Sequence, residues 1–400
     1  MTHLPTPTSP EPRPVGPDRR SLLRGAGIMS LALGGVGCAS CPTGANFTPV
    51  GCLLQDAAAR GDVPGVVAAV GHGGRVVYRG VYGHRALLPV PEPENWTTLF
   101  DMASLTKPTI TALAVMQLWE QGAFTLDEPV ARCLPAFAAG GKQDITIRQL
   151  LTHYSGLPPD LGLSTPWQGR DAAVRRVMAT RPDRPAGDRF VYSDVNFITL
   201  GLLVETVSGL SLDLYATRYI LTPLGMVHSG FRPDAAQIAQ IAPTQFDENH
   251  TILRGVVHDP TARRMGGVAG HAGLFSDADD MSVYAQALLD RRAGRPGNFP
   301  LKRETVLLMT TPQQPAGSPD LRGLGWDIAT HYSAPRGDLF PVGSFGHTGF
   351  TGTSLWMDPA SDSFVLILTN RVHPDGSHAR QITQLRHDVA TATARALGIT

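Results

Sequence analysis

The sequence predicts a mixed α/β fold, in which a sheet assembled from both chain ends carries a mainly helical insertion. Three observations lead there. Near the start, the β-rich runs 66–70 and 76–78 flank His72-Gly73-Gly74, and two such runs around a Gly-Gly turn read as a hairpin. Near the end, residues 325–328, 353–357 and 364–368 read as further strands, separated by turn signals such as Asp358-Pro359. Between these ends, residues 147–152, 198–207 and 281–289 have helical character and are joined by Gly/Pro-rich loops.

Each element follows from its residues. A helix is expected around 51–60, ahead of the hairpin. Ser276-Asp277 followed by Asp279 and Asp280 forms a good helix N-terminus, because short acidic and hydroxyl side chains accept the first free backbone N–H groups. The tail from 378 to 397 places Ile382, Leu385, Val389, Ala392 and Ala396 at helical spacing, so it is expected to pack on the sheet. The expected division is an export signal over 1–40, a discontinuous sheet domain over 48–120 and 300–400, and a mainly helical domain over 121–299. A site would lie in the cleft between the two parts.

The first stretch stands apart from the fold. Arg19-Arg20-Ser21-Leu22-Leu23-Arg24 follows a polar, Pro-rich lead and precedes an apolar, glycine-rich run from 25 to 37, the pattern of a twin-arginine export signal. Cleavage near Gly37 or Ser40 would release a soluble periplasmic protein; a lipid on Cys38 is the alternative and the only expected membrane attachment. Cys38 and Cys41 lie at the signal's end, which leaves Cys52 and Cys133 in the body, read as two free, buried thiols. Lys+Arg and Asp+Glu both total 34, so charge balance points away from nucleic acid as a partner.

The chemistry sits in three short motifs. Ser104-Leu105-Thr106-Lys107 opens a helix-forming run, and positions i and i+3 share a helix face, so hydroxyl and amine can meet. A Ser hydroxyl is a poor nucleophile until a neighbouring base takes its proton. The only lysines are Lys107, Lys142 and Lys302. A chain that otherwise relies on Arg therefore has Lys where a titratable amine matters, since Arg does not give up its proton. Tyr192-Ser193-Asp194 supplies a phenol that a nearby Lys could help to ionise. His347-Thr348-Gly349, followed by Phe350, is a glycine-rich strand edge where substrate backbone can approach and Thr348 can donate a hydrogen bond.

In this order the three motifs resemble those of serine hydrolases comprising low-molecular-mass penicillin-binding proteins, DD-peptidases and class C β-lactamases. The resemblance covers about residues 50–397, including the segments 150–158 and 266–276 and Pro223-Leu224-Gly225-Met226; the segment 266–276, with Tyr192-Ser193-Asp194-Val195 and His347-Thr348-Gly349, is most similar to penicillin-binding protein 4B and its relatives. It implies a β-lactamase/transpeptidase-like antiparallel sheet flanked by helices, and an acyl-enzyme on Ser104. Lys107 and Tyr192 would shuttle the proton, the N–H groups of Ser104 and Phe350 would bind the oxyanion, and His347 and Thr348 would face a substrate carboxylate. No metal and no organic cofactor is implied.

Two departures shape the expected substrate. Asp194 stands where penicillin-hydrolysing relatives have Asn; ionised, it would favour protonated Lys107, oppose ionisation of Tyr192 and repel an anionic substrate. His347 replaces a Lys and carries less permanent charge. Both argue against efficient penicillin hydrolysis and favour a DD-carboxypeptidase acting on D-Ala-D-Ala peptides or a related amide or ester. The alternatives are an esterase of small acyl esters and a catalytically silent sensor of muropeptides or β-lactams. The histidines show no metal-ligand spacing, and no His-Glu-x-x-His or Gly-x-Ser-x-Gly occurs. The glycines of 266–273 read as a tight loop beside the cleft, and His271 within it reads either as a substrate contact or as a structural histidine.

Overall fold

The computed structural model describes residues 45–376 and 379–400. The export signal, with Arg19, Arg20, Cys38 and Cys41, lies outside the described residues.

The hairpin forms as β1 (Gly65–His72) and β2 (Arg75–Ala86), turning at Gly73 and Gly74, whose φ of 59° and 84° suit residues without a Cβ. β3 (Glu92–Pro93) extends it, and β4 (Phe100–Asp101), β5 (Gly230–Phe231) and β6 (Leu274–Ser276) form a separate sheet ordered β4-β6-β5. The C-terminal part adds β7 (Leu321–Arg322), β8 (Asp327–Ala329), β9 (Phe345–Thr348), β10 (Ser354–Asp358) and β11 (Ser363–Leu368). The main sheet is 8-stranded, in the order β3-β2-β1-β11-β10-β9-β8-β7, with antiparallel pairing throughout. The seam between the two chain ends is β1 against β11, with Val67 opposite Leu368.

Alternation along β1 explains why the sheet is covered on both faces. Val66 and Ala68 point to one face, where they meet Val50 and Leu54 of the helix Thr48–Ala59 and Ile382 and Val389 of the helix Ala379–Ala396. Val67 and Ala69 point to the other, into the larger core shared with the helices Leu113–Glu120, Asp194–Ser208 and Ala278–Ala293. The expected helix start at Asp277 holds: its side chain accepts the Asp280 N–H at 2.9 Å. No single helix among the described residues is long and apolar enough to cross a membrane.

The cysteine expectation needs correcting. Cys52 and Cys133 are free, but Cys52 is exposed and Cys133 only half-buried. In the helix Thr48–Ala59 the buried stripe is Val50, Leu54 and Ala57, and a residue two positions from both Val50 and Leu54 lands on the opposite face.

Candidate active site

The backbone turns sharply just before Ser104. β4 leads into a 3₁₀ turn, Ala103–Leu105, then a π-helical stretch, Lys107–Ala112, and only then the α-helix Leu113–Glu120. The sequence suggests a plain helical run; the structure instead uses a tight turn followed by a wide one, a combination that concentrates at functional sites. Ala103 has φ +45°, a conformation costly for a residue with a Cβ. Asp101 holds it there: one carboxylate oxygen accepts the Ala103 N–H at 2.9 Å and the other the His258 N–H at 2.7 Å. Burial pushes the Asp101 carboxyl up to about 6, against those two hydrogen bonds.

Gly349 brings β9 onto this turn. A Cβ at Gly349 would lie 2.1 Å from Thr353 Oγ1 and 2.7 Å from Met102 O, so only glycine permits the approach. Thr351 Oγ1 donates to Asp101 O at 2.8 Å and Thr353 Oγ1 to Met102 O at 3.2 Å, tying the loop after β9 to the residues ahead of Ser104. The segments that carry the first and third motifs, far apart in sequence, are thus joined by threonine hydroxyls on backbone carbonyls.

Lys107 is 0% exposed, and its three ammonium hydrogens have three acceptors. Nζ lies 2.9 Å from Ser104 Oγ, 3.0 Å from His271 O and 2.6 Å from Asp194 Oδ1. Burial favours the neutral amine, but Asp194 and Tyr192 outweigh it, and the net effect raises the Lys107 pKa. Tyr192 precedes the helix Asp194–Ser208, and its hydroxyl faces both Lys107 and Ser104. Burial raises the Tyr192 pKa, Lys107 lowers it and Asp194 raises it; the balance is upward. The resting site therefore keeps its proton on Lys107, as the Asp194 substitution led one to expect.

The second motif is held by His153, which belongs to none of the three motifs. His153 ends the helix Ile147–Thr152 in a left-handed conformation, φ 62°, and stacks on Tyr192 with ring centroids 4.5 Å apart. Its Nδ1 accepts the Ser193 N–H at 3.1 Å. Burial, then Arg322 and Lys107, keep its pKa well below the usual histidine value, so it stays neutral and available as that acceptor.

Two hollows meet at Ser104. One, of about 520 Å³, is bordered by Asp194, Asp247, Glu248, Asp259 and Arg263; the other, of about 400 Å³, by His347, Thr348, Arg322, Arg371 and Arg386. Ser104, Tyr192 and Phe350 border both. Phe350 is 61% exposed and forms the partition, its ring 5.4 Å from that of His258 on one side and 4.7 Å from the Arg371 guanidinium on the other.

His347 brings no charge to the second hollow. It is buried, Nδ1 lies 2.8 Å from Thr348 O, and burial, then Arg322 and Lys107, lower its pKa well below the usual range. Positive charge comes from arginines that the motifs did not reveal. Arg386 donates to Gly349 O at 2.9 Å and Thr353 O at 2.8 Å, and burial lowers it to about 9. Arg322 Nε and Nη2 and Arg386 Nε have no hydrogen-bond partner among the described residues. Three arginines line this hollow against one carboxylate, Asp327, which pairs with Arg322 at 3.4 Å, so the balance of its lining charge favours an anion.

Sequence spacing offers no metal set, yet the fold brings Asp194, Asp259 and His271 close enough for one cation. The Lys107 ammonium already takes that position against Asp194. His271 is buried and paired with Asp259 rather than directed into a hollow, which places it in the packed-loop reading.

The chain belongs to the beta-lactamase family of hydrolases: the family model described as Beta-lactamase matches residues 53–390. It is 34% identical over 347 residues to an N-acetylmuramyl-L-alanine amidase of Bacillus subtilis (strain 168), covering 78% of each chain. It is 32% identical over 336 residues to a protein of Escherichia coli (strain K12) named as a candidate D-alanyl-D-alanine carboxypeptidase, covering 75% of this chain and 76% of the relative. Among solved structures, a class C beta-lactamase superposes with a TM-score of 0.68 at 20% identity, over 86% of this chain and 95% of that one, a likeness of fold.

Proposed function

We propose that this chain is an exported serine hydrolase that cleaves D-Ala-D-Ala peptides or a closely related muropeptide amide through an acyl-enzyme on Ser104. One observation carries the reading: Ser104, Lys107 and Tyr192 converge where an arginine-lined hollow meets a larger one. Ser104 Oγ bonds to the scissile carbonyl carbon, and its proton passes through Lys107 and Tyr192 to the departing amine as the C–N bond breaks. Water then attacks the ester, and the serine hydroxyl re-forms. The N–H groups of Ser104 and Phe350 are the proposed oxyanion donors. The carboxylate of the departing fragment lies among Thr348, Arg322, Arg371 and Arg386. Because Asp194 holds Lys107 protonated, acylation draws on the fraction of sites that have lost that proton, and it rises with pH.

The muramyl-L-alanine amide bond is the second substrate this reading admits, supported by the Bacillus relative and by the size of the first hollow. A particular kinship with penicillin-binding protein 4B and its relatives, expected from the segments 266–276, 192–195 and 347–349, belongs to the same proposal. Export rests on Arg19-Arg20 and the apolar run behind them. Initial rates on a D-Ala-D-Ala peptide, a muramyl-L-alanine peptide and a p-nitrophenyl ester test the substrate. The expected result is higher kcat/KM on one of the amides than on the ester, and none with Ser104→Ala. Turnover of the ester alone makes it an esterase, and full amide turnover by Ser104→Ala overturns the mechanism.

A further inference from the structure

The turn that carries the Lys107 carbonyl partner is fixed by an ion pair no motif uses. His271 is 1% exposed, and its Nε2 lies 2.7 Å from Asp259 Oδ1. The same oxygen accepts the Ala262 N–H at 2.7 Å, capping the helix Pro260–Arg264, so the carboxylate cannot swing away without uncapping it. His271 lies in a tight turn closed by pairing of Ala269 with Ala272.

That turn touches the elements that carry the chemistry. Thr111 Oγ1, in the π-helical stretch with Lys107, donates to Gly270 O at 2.6 Å. Gly270 lies against the helix that begins with Asp194: a Cβ there would sit 2.0 Å from Phe197 O and 2.9 Å from Gly201 N. His271 O then receives Lys107 Nζ at 3.0 Å. One polar side-chain atom each of Asp194, Asp259 and His271 lies within 4.8 Å of the others, so the imidazole has a second carboxylate close by.

We propose that Asp259 and His271 are positioning residues for Lys107: their buried pair sets the turn whose carbonyl holds the ammonium, and its charge balance sets how firmly Lys107 keeps its proton. The inference rests on the serine-hydrolase reading of Ser104 and Lys107. Charges facing the pair are Lys107 from the π-helical stretch, Asp194 from its helix, Asp160 from the loop after Pro159 and Asp101 from β4, whose carboxyl burial pushes up to about 6; His258, lowered by burial to about 4, stands neutral beside Asp259. Tyr192, His153 and His347 face Lys107 from the other side, the two histidines neutral. Burial opposes the charged imidazole, but Asp259 and Asp194 outweigh it and raise the His271 pKa. Burial likewise opposes the Asp259 carboxylate, and His271 outweighs it. Protonated, His271 cancels the field that Asp259 would otherwise impose on Lys107.

Charge-swap variants separate this role from simple packing. The readout is the second-order rate of labelling by a neutral fluorophosphonate across pH 5–10, on full-length protein shown to be folded by its thermal melt. His271→Gln leaves Asp259 uncompensated beside Lys107, so the rising limb moves up by roughly one pH unit. Asp259→Asn with His271→Gln removes both charges, and the limb returns to within roughly 0.3 unit of the starting protein. Asp259→Asn alone also leaves the limb in place, because the imidazole turns neutral with the loss of its partner; His271→Asn, for which the same upward shift is expected, replaces His271→Gln if that variant does not fold. A limb that stays put in folded His271→Gln, fails to return in the double variant, or drops in Asp259→Asn overturns the proposal. Ser104→Ala is the separate control: labelling that survives it defeats the underlying reading, whereas labelling confined to Ser104 with an unmoved limb defeats only the role of the pair.

Discussion

Lys107 and Lys142 are both wholly buried, and they show what distinguishes a reactive lysine from a structural one. Lys142 Nζ donates to three backbone carbonyls, Ala139 at 2.6 Å, Met178 at 2.9 Å and Thr180 at 2.5 Å. Met178 and Thr180 lie at the C-terminal end of the helix Arg170–Ala179, where free carbonyls welcome a cation. Burial alone lowers the Lys142 pKa, and no carboxylate answers it. Lys107 also has three acceptors, but one is a hydroxyl and one a carboxylate. Carbonyls can hold an ammonium, but they offer it no chemistry; a hydroxyl beside the amine is a group whose proton that amine can take once it is neutral. Scarcity of lysine therefore did not single out chemistry: of the three, Lys302 is exposed, Lys142 is buried among carbonyls and Lys107 alone lies beside Ser104.

The largest expected contrast comes from conservative replacement. Lys107→Arg keeps the charge but cannot release a proton, so acylation falls by about 100-fold or more. Stopped-flow labelling checks it, and a loss under threefold would mean that Lys107 only holds charge. Asp194→Asn removes the carboxylate that raises the Lys107 pKa and restores an amide donor. Acylation by a β-lactam is expected to rise about 3–10-fold, with the pH limb moving down; an unchanged or lower rate removes this electrostatic explanation. Lys142→Met leaves three carbonyls without their donor and lowers unfolding stability by about 1–3 kcal/mol, read by denaturant titration. Its kcat stays within about twofold, and a folded Lys142→Met enzyme as slow as Lys107→Arg would collapse the distinction.

The smallest effect is expected at His347. An exposed histidine titrates near pH 6.5 and would add charge as pH falls. His347 has a depressed pKa and remains neutral through that range, so KM for an anionic substrate should not improve between pH 8 and 5.5 on its account. His347→Gln is expected to leave the shape of the KM profile unchanged; loss of an acid-side improvement on this substitution would show that His347 does charge.

The parts legible in the sequence are those whose signal is local. The hairpin at Gly73-Gly74, the apolar runs of β10 and β11 and the helical spacing of the C-terminal tail are short-range patterns, as is the Ser104–Lys107 interval. Cys52 was misplaced as buried, because its exposure follows only once Val50, Leu54 and Ala57 are known to form the buried stripe. The remainder depends on contacts between distant segments. Nothing near Ala103 announces its positive φ, which Asp101 and the approach of Gly349 impose. Arg322, Arg371 and Arg386 reach one hollow from β7, the loop after β11 and the C-terminal helix, and no spacing rule links them. The Asp259–His271 pair closes across a helix cap and a turn, and only the folded chain shows that its far side holds Lys107.

The most direct measurement is the location of a covalent adduct. The protein is treated with a fluorophosphonate at pH 8 and its intact mass and digested peptides are read by mass spectrometry. One adduct per chain on Ser104, absent from Ser104→Ala and slowed in Lys107→Arg but not in Lys142→Met, is the predicted result. An adduct on another residue, or none in folded protein, would contradict it.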